Sequence, residues 1–552
     1  MYAQSIAHSR SRIRRSGLAT LVHALALLAG ALFCTLPRAS SATDLGSLLQ
    51  YLEWPMFGQN WGNTASGLST IDARNVGKLK PKWTFTTHGD VSARASVASG
   101  GVFFPDWGGY LYRLNARTGA QVWGKNLVAD YGLTPSAGSV KVISRTTPAV
   151  DGDTLYIGTQ STATGAYLLA INAKNGALKW KLQVDAHPLA IATSAPVVLN
   201  GVVYTGVASL EEAGAANPQY PCCSFRGSAL AINAKTGKII WKQYMAPPGY
   251  AGVAVWGSSL VPDLLRGVVY VTTGNNYTTP TAPEFKSCVK GRALTDALVT
   301  ECISDDDFVD SIVALSMKDG RVRWSHRMWS QDDWNVACLV GFASGQGNCP
   351  DPQGPDYDFS SGANLFVIKT KHGLRQVLGA GQKSGVYSAL DPDTGKLLWA
   401  TQVGPGSALG GIEWGSATDG ERVYVAIANL FGLPYASAHT GNAGSWSALD
   451  PQTGKLLWQV PDPNRAMALG PVAVANGIVY AGSMGGAPQD RNMLALSAKT
   501  GATLWSFAAG GSVVAGASIV GDTVYWGSGY ANLGMPGMTS NNVFYAFSVN
   551  GR

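Results

Sequence analysis

Seven degenerate copies of one hairpin, complementary half copies at the two ends and a turn-rich, charge-poor composition predict an all-β fold. The architecture expected is an eight-bladed β-propeller, a ring of sheets closed by its own N-terminal strand. The 552 residues include 67 Gly and 17 Trp. Only 14% are charged, against about 25% in an average globular chain. This composition excludes a charge-rich disordered chain, a coiled coil and a collagen. Beyond the first forty positions no uninterrupted apolar run approaches the roughly 20 residues of a membrane helix, which argues against a protein with several spans.

Each copy has the degenerate form Ala-Leu-Asp-x-x-Thr-Gly-x-x-x-Trp. The copies run from Leu114 to Gly119 with Trp123, Ile171 to Gly176 with Trp180, Ile232 to Gly237 with Trp241, and Leu315 to Gly320 with Trp324. They continue from Leu390 to Gly395 with Trp399, Leu449 to Gly454 with Trp458, and Leu496 to Gly501 with Trp505. Apolar alternation on both sides suits half-buried strands, and the polar pair with Gly suits a hairpin that needs a positive φ. The Trp at fixed spacing can pack between neighbouring blades. Ala546 to Gly551 opens an eighth copy without its Trp, whereas Lys82-Trp83-Thr84-Phe85 is a Trp strand without its hairpin. The two halves are expected to complete one blade, and closing the ring removes exposed sheet edges. The interval between repeat tryptophans widens to 83 and 75 residues in the middle of the chain, so insertions there are expected on the rims, where binding sites are built.

Residues 1–42 have the layout of a secretory signal: Arg10, Arg12, Arg14 and Arg15, an apolar stretch from Leu18 to Leu36, then the small residues Ala39 to Ala42. Residues 43–552 are expected to form a single propeller domain. Removing the five Arg of the leader takes the formal charge from +7 to +2, so nucleic-acid binding loses its support and no membrane span is expected after cleavage. Beyond Cys34, the six cysteines Cys222, Cys223, Cys288, Cys302, Cys338 and Cys349 read as disulfides in an exported protein. Fifteen pairings are open, of which the three nearest-neighbour bridges are the simplest. There is no Cys-x-x-Cys-His, hence no c-type haem of the usual kind on this chain.

The repeat resembles the tryptophan-docking repeat of quinoprotein dehydrogenases, which bind pyrroloquinoline quinone (PQQ) in an eight-bladed propeller. The resemblance runs over residues 50 to 552. Non-enzymatic propellers carry similar copies, so catalysis depends on the side chains of the site and not on the fold alone. Alcohol oxidation by a quinone needs a cation on a quinone carbonyl, oxygens to hold that cation, a carboxylate base, and cationic groups for the cofactor's acids.

Thr193-Ser194-Ala195-Pro196 followed by Glu211-Glu212 is similar to the family segment with a quinone-contacting threonine and a metal-ligating glutamate. The family spacing implies Thr193 and Glu211, with Glu212 as the fallback. Trp256-Gly257 resembles the indole floor on which the quinone stacks, and Asn275 the amide ligand of a Thr-Gly-Asn turn. Arg145 is similar to the arginine that pairs with a quinone carboxylate, and Lys383 to the cation that contacts the quinone oxygens. Family members often read His-Asp-x-Trp-Asp with the last Asp as base. Here Gln331-Asp332-Asp333-Trp334-Asn335 puts an amide there, which cannot take a proton. The base implied instead is Asp356 of Asp356-Tyr357-Asp358, with Asp333 as runner-up. Asp356 and Asp358 are also implied on the metal side; the resemblance implies calcium, and a second carboxylate would favour a more highly charged ion such as a lanthanide. The vicinal pair Cys222-Cys223 is similar to the disulfide ring that covers the quinone in several members; its displaced position also suits a loop clamp.

Together Glu-Glu, the displaced Cys-Cys-x-Phe-Arg-Gly and Asp-Tyr-Asp-Phe most resemble polyvinyl alcohol dehydrogenases. The resemblance implies a periplasmic enzyme that oxidises secondary or polymeric alcohols with PQQ and calcium and passes electrons to a separate cytochrome c. The alternative is a catalytically silent propeller used as a protein-interaction scaffold, which the amide at Asn335 would favour.

Overall fold

The computed structural model describes residues 52–341, 344–435, 443–532, 534 and 537–552. The leader expected over residues 1–42 lies outside the described residues. Eight sheets follow one another along the chain. We number the blades 1 to 8 by their first strands: Ser96–Ala98, Ala149–Asp151, Val197–Leu199, Val261–Asp263, Asn364–Thr370, Ala417–Thr418, Ala473–Ala475 and Ser518–Val520. Each blade then runs outward by antiparallel pairing, as in blade 6, where Val423–Ile427 pairs with Ser445–Leu449 and that with Leu456–Pro461. The two middle strands of this blade are buried along their whole length, whereas the outer strand Leu456–Pro461 is only partly covered. In blade 8 the outer strand is Leu79–Thr86, which pairs antiparallel with Val543–Val549 in a register that sets Leu79 opposite Val549 and Thr86 opposite Val543.

The repeat has a direct physical meaning. The hairpin glycines all adopt a positive φ, for example +70° at Gly395 and +74° at Gly454, and each abuts the Trp of the preceding blade. A Cβ on Gly454 would stand 2.4 Å from the Trp399 ring, so Gly is required twice over, by the turn and by the indole lying on it. The indole N–H then donates to the backbone of the next blade: Trp83 to Ala116, Trp123 to Ala173, Trp180 to Ala234, Trp241 to Met317, Trp399 to Pro451 and Trp458 to Ala498. Trp505 donates to the Leu79 carbonyl at 3.0 Å, which carries the chain of docked indoles into blade 8.

Residues 54–67 run past the first strands of the blades in order. Trp54 pairs with Val97, the Pro55 carbonyl accepts from Val150, and the Trp61 indole donates to Val198. The carbonyls of Gly62, Thr64 and Ala65 accept from Leu365, Thr418 and Val474. Blades 1, 2, 3, 5, 6 and 7 are thereby stitched to one segment, which satisfies backbone groups their first strands would leave open. The cysteines form the bridges Cys222–Cys223, Cys288–Cys302 and Cys338–Cys349. No helix among the described residues is long and apolar enough to cross a membrane.

Candidate active site

The site grows out of the residues that lead into the first strands. A cavity is lined by Arg94, Arg145, Thr193, Ser258, Trp414 and Val514, which come from blades 1, 2, 3, 4, 6 and 8, with Phe57 of the stitching segment. Because each blade delivers one short run to the same place, side chains hundreds of residues apart meet there.

One part of the site is built of oxygen acceptors around a cation. Lys383 Nζ lies 2.9 Å from Asp356 Oδ1, 3.6 Å from Asp358 Oδ2 and 5.1 Å over the centroid of the Trp256 ring. Asp358 fixes its neighbours: its Oδ2 accepts from Trp256 Nε1 at 2.7 Å and its Oδ1 from the Asn275 backbone N–H at 2.6 Å. The amide of Asn275 donates to the carbonyls of Asn276 and Trp334, which aims its Oδ1 away from any protein donor. Three buried oxygens here have no protein partner: Asn275 Oδ1, Glu212 Oε1 and Asp356 Oδ2. Burial pushes Asp356 well above the ordinary carboxyl range against the pull of Lys383, and pushes Glu212 up to about 8 in the same way. Burial also works against the Lys383 ammonium, but Asp356, Asp358 and Glu413 outweigh it and hold the lysine protonated. Buried oxygens without protein partners suit a hard cation, and amide and carboxylate oxygens are the ligand types of a calcium-type site.

Asp356 is itself held from below. Asp332 accepts from the backbone N–H groups of Asp356 and Tyr357 at 2.8 and 2.5 Å. Asp310, which burial and then Asp332 push well above the ordinary range, lies against Asp332.

The structure places Glu211 elsewhere. Its carboxylate accepts from the Tyr220 hydroxyl at 2.9 Å, from the N–H groups of Ser224 and Phe225 at 2.8–3.0 Å, and lies 3.5 Å from His187 Nε2. Burial alone would raise this group, yet His187, the two N–H donors and Tyr220 together hold it below the usual range. With both oxygens engaged by the loop over residues 220–225, Glu211 clamps that loop, whereas Glu212 comes under the charge of Lys383. Neither Glu211 nor Glu212 gathers with Asp356 and Asp358 into three carboxylate oxygens within 4.8 Å of one another. Among the described residues the acidic or sulfur group that does is Cys288, Glu301 and Cys302, whose sulfurs are already bonded to each other.

Cys222 and Cys223 lie on the loop that Glu211 clamps. Cys222 Sγ is 3.9 Å from Asn335 Nδ2, and neither cysteine lines the cavity. Asn335 is engaged as an amide: its Nδ2 donates to the carbonyls of Tyr277 and Asn348 at 2.8 and 2.7 Å, and its Oδ1 accepts from Ala337 N. Asp333 is buried beside Asp307 and Asp332, with burial first and then Asp307 pushing it well above the ordinary range. Lys383 is not among the charges acting on it, unlike on Asp356.

The cavity next to this cluster has the opposite character. Thr193 Oγ1, Trp414 Nε1 and Arg94 Nε are buried without protein partners. Arg145 makes no hydrogen bond or ion pair among the described residues; its guanidinium lies 5.7 and 5.3 Å over the Trp107 and Trp414 rings. The two regions join through the indoles of Trp256 and Trp414, edge to face at 5.2 Å, and through Glu413, whose charge acts on both Lys383 and Arg145. Sequence reasoning missed Arg94, Asp332, Glu413 and Trp414. Their signal is positional: Arg94, Glu413 and Trp414 precede a first strand by two to four residues, as Arg145 and Thr193 do.

A tryptophan-docked ring with a donor-lined cavity beside a cluster of oxygen acceptors is the arrangement that fits a planar, acidic cofactor together with a cation. The family profile described as outer membrane protein assembly factor BamB matches residues 74–213 and 382–546. A polyvinylalcohol dehydrogenase of a Pseudomonas species is 30% identical over 87% of this chain and 74% of its own length. That of Sphingopyxis sp. (strain 113P3) is 30% identical over 94% and 79%. The solved structure of quinohemoprotein alcohol dehydrogenase ADHIIG from Pseudomonas putida HK5 superposes with a TM-score of 0.70 at 19% identity, covering 93% of this chain and 83% of that one. The chain belongs to the polyvinyl alcohol dehydrogenase branch of the quinoprotein alcohol dehydrogenase family.

Proposed function

We propose that this protein is a PQQ-dependent alcohol dehydrogenase that oxidises secondary or polymeric alcohols to ketones in the periplasm, with a separate cytochrome c as electron acceptor. The observation that carries the reading is the division of unpartnered buried groups into donors around Arg145 and Thr193 and acceptors around Asn275, Glu212 and Asp356. An acidic quinone chelated to a cation satisfies both sets at once, and an interaction scaffold would need neither. Asn335 no longer favours the scaffold, since its amide is a staple of the fold.

When bound, the quinone is the two-electron acceptor, and the cation draws charge from its carbonyl. Glu212 and Asn275 would hold the cation, proposed as calcium, with Asp356 beside them, and Arg145 and Thr193 the cofactor's acids. Trp256 is held by Asp358 so that one indole face stays under Lys383. Asp356 Oδ2 is the acceptor for the alcohol's hydroxyl proton, while Oδ1 stays on Lys383. That ion pair opposes the burial that raises Asp356 and so favours the ionised form a base requires, although burial is the larger of the two effects. Asp332 fixes the backbone on which Asp356 rides, so the base does not wander from the substrate carbon.

The test is to add PQQ and calcium to the purified apo-protein and follow dye reduction with a secondary alcohol. Turnover that needs quinone, cation and alcohol together is expected. No quinone-dependent turnover with any primary, secondary or polymeric alcohol would overturn the reading.

A further inference from the structure

Around the ring axis the position two residues before each first strand is occupied, blade by blade, by Arg94, Thr147, Ala195, Ser259, Gly362, Gly415, Pro471 and Gly516. Seven are small or Pro because these positions crowd one another: a Cβ on Gly362 would stand 2.2 Å from the Ser259 carbonyl oxygen, and one on Gly516 2.4 Å from Arg94 Nε and Nη2. The space the other seven leave is filled by a single long cation. Arg94 is 1% exposed, lies against Gly516, and has the rings of Phe57 and Trp54 at 4.8 and 5.3 Å. Its Nη1 and Nη2 donate to the carbonyls of Phe57 and Val472 at 2.7 and 2.9 Å, and Nε has no protein partner. Among the described residues no carboxylate pairs with it, so a full charge is buried on two neutral carbonyls and two ring faces. A buried charge without a counter-charge is strongly disfavoured, and burial depresses this guanidinium to about 9. Arg94 lines the same cavity as Arg145, Thr193 and Trp414, whose donors are likewise unsatisfied.

We propose that Arg94 is a second anion-receiving residue of the cofactor site, supplying the counter-charge for a carboxylate of the quinone distinct from the one on Arg145. The inference rests on the quinoprotein reading and deepens it. PQQ is a tricarboxylic acid, and one arginine cannot neutralise it; with Arg94 and Arg145 on one side and a cation on the other, its charges are met from both ends. Arg94 also explains why a ring of otherwise small residues tolerates one large side chain.

The test measures PQQ binding to the full-length apo-protein by fluorescence quenching, independently of turnover. Arg94→Gln is expected to weaken PQQ binding about 10- to 100-fold, the worth of a charge-assisted contact, and Arg94→Lys to recover part of it. The trimethyl ester of PQQ should bind wild type and Arg94→Gln equally. The apo Arg94→Gln protein is expected to melt no lower than wild type while its PQQ-induced rise in Tm shrinks. Equal PQQ affinity in Arg94→Gln and wild type would overturn the inference while leaving the cofactor reading intact. Equal weakening toward PQQ and its ester would assign Arg94 a purely structural role and also overturn it. A wild-type protein that binds no PQQ would sink both.

Discussion

At the scale of single residues, the site turns on which of two adjacent acids faces inward and which carboxylate has an oxygen to spare. Glu211 and Glu212 share the one-turn helix Glu211–Gly214, where neighbours point about 100° apart, so spacing in the sequence cannot separate them. The structure separates them by partners: Glu211 is saturated by loop donors and Glu212 Oε1 has none. Glu212→Gln is therefore expected to raise the calcium concentration for half-maximal activity at least about tenfold with little change in melting temperature. Glu211→Gln should do the reverse, loosening the loop over 220–225 by about 1–3 kcal/mol with the calcium requirement unmoved. If titration with calcium moved in Glu211→Gln instead, the assignment would have to be exchanged. Asp356→Asn keeps the shape of the base but not its basicity, so kcat should fall about 10²- to 10⁴-fold while PQQ binding, read by fluorescence, stays within a few-fold. An unaltered kcat would pass the role of base to another acid. Asn335 was legible as a departure from the family pattern, but that its amide staples Tyr277 and Asn348 could be seen only once the chain was folded.

At the scale of elements, the site residues obey a rule the repeat does not announce. Counted back from the first strand of their blades, Arg145, Thr193 and Glu413 stand four residues away, Trp256 five, Asp358 six and Asp356 eight. The third and fourth strands of each blade are legible because the hairpin and its Trp mark them. The first strands, often three residues long, are too short to show alternation, so the reference point for the count is missing and Arg94 and Trp414 go unnoticed. The hairpin itself makes a sharp prediction. Gly454→Ala forces both a positive φ and a clash with Trp399, and should cost roughly 2–4 kcal/mol by denaturant midpoint. Gly477→Ala, with φ +77° and nothing near its added Cβ, should cost only about 1–2 kcal/mol. Equal losses would mean that the docked indole is not what demands glycine. Between blades 6 and 7, burial pushes Asp462, which follows Leu456–Pro461, up to about 7. A carboxyl raised in the folded state takes up its proton on folding. Its stabilising effect is whole below about pH 4 and is lost as pH rises to about 7. Asp462→Asn should therefore match wild type in stability near pH 4 and exceed it at pH 8 by a margin on the order of 2–4 kcal/mol, visible as a flatter profile of Tm against pH. A profile parallel to wild type would show that Asp462 stays ionised.

At the scale of the whole molecule, two devices hold the ring, and only one of them is written in the repeat. The half copies around Trp83 and Ala546 made an eight-bladed ring legible, because each half lacks what the other supplies. The segment 54–67 has no strand periodicity, since it touches each of six blades through a few hydrogen bonds, one of them from the Trp61 indole, and then moves on, and nothing in its composition marks it as structural. Yet it reaches six blades, and Phe57 at its start forms part of the cavity wall. Its removal leaves the innermost backbone groups of those blades unpaired, each an unsatisfied donor or acceptor worth about 1–3 kcal/mol where water cannot reach it, and uncovers strand edges that invite pairing between molecules. A chain starting at Leu68 retains the strand Leu79–Thr86 and can still complete blade 8. It is expected to melt well below the full-length protein, to elute as dimers and larger species on size exclusion, and to lose PQQ binding together with the Phe57 wall, while its far-ultraviolet spectrum remains that of a β protein. A truncated chain that stayed monomeric with an unchanged melting temperature would mean that the docked indoles alone suffice to hold the ring, and that the segment serves only to line the cofactor cavity.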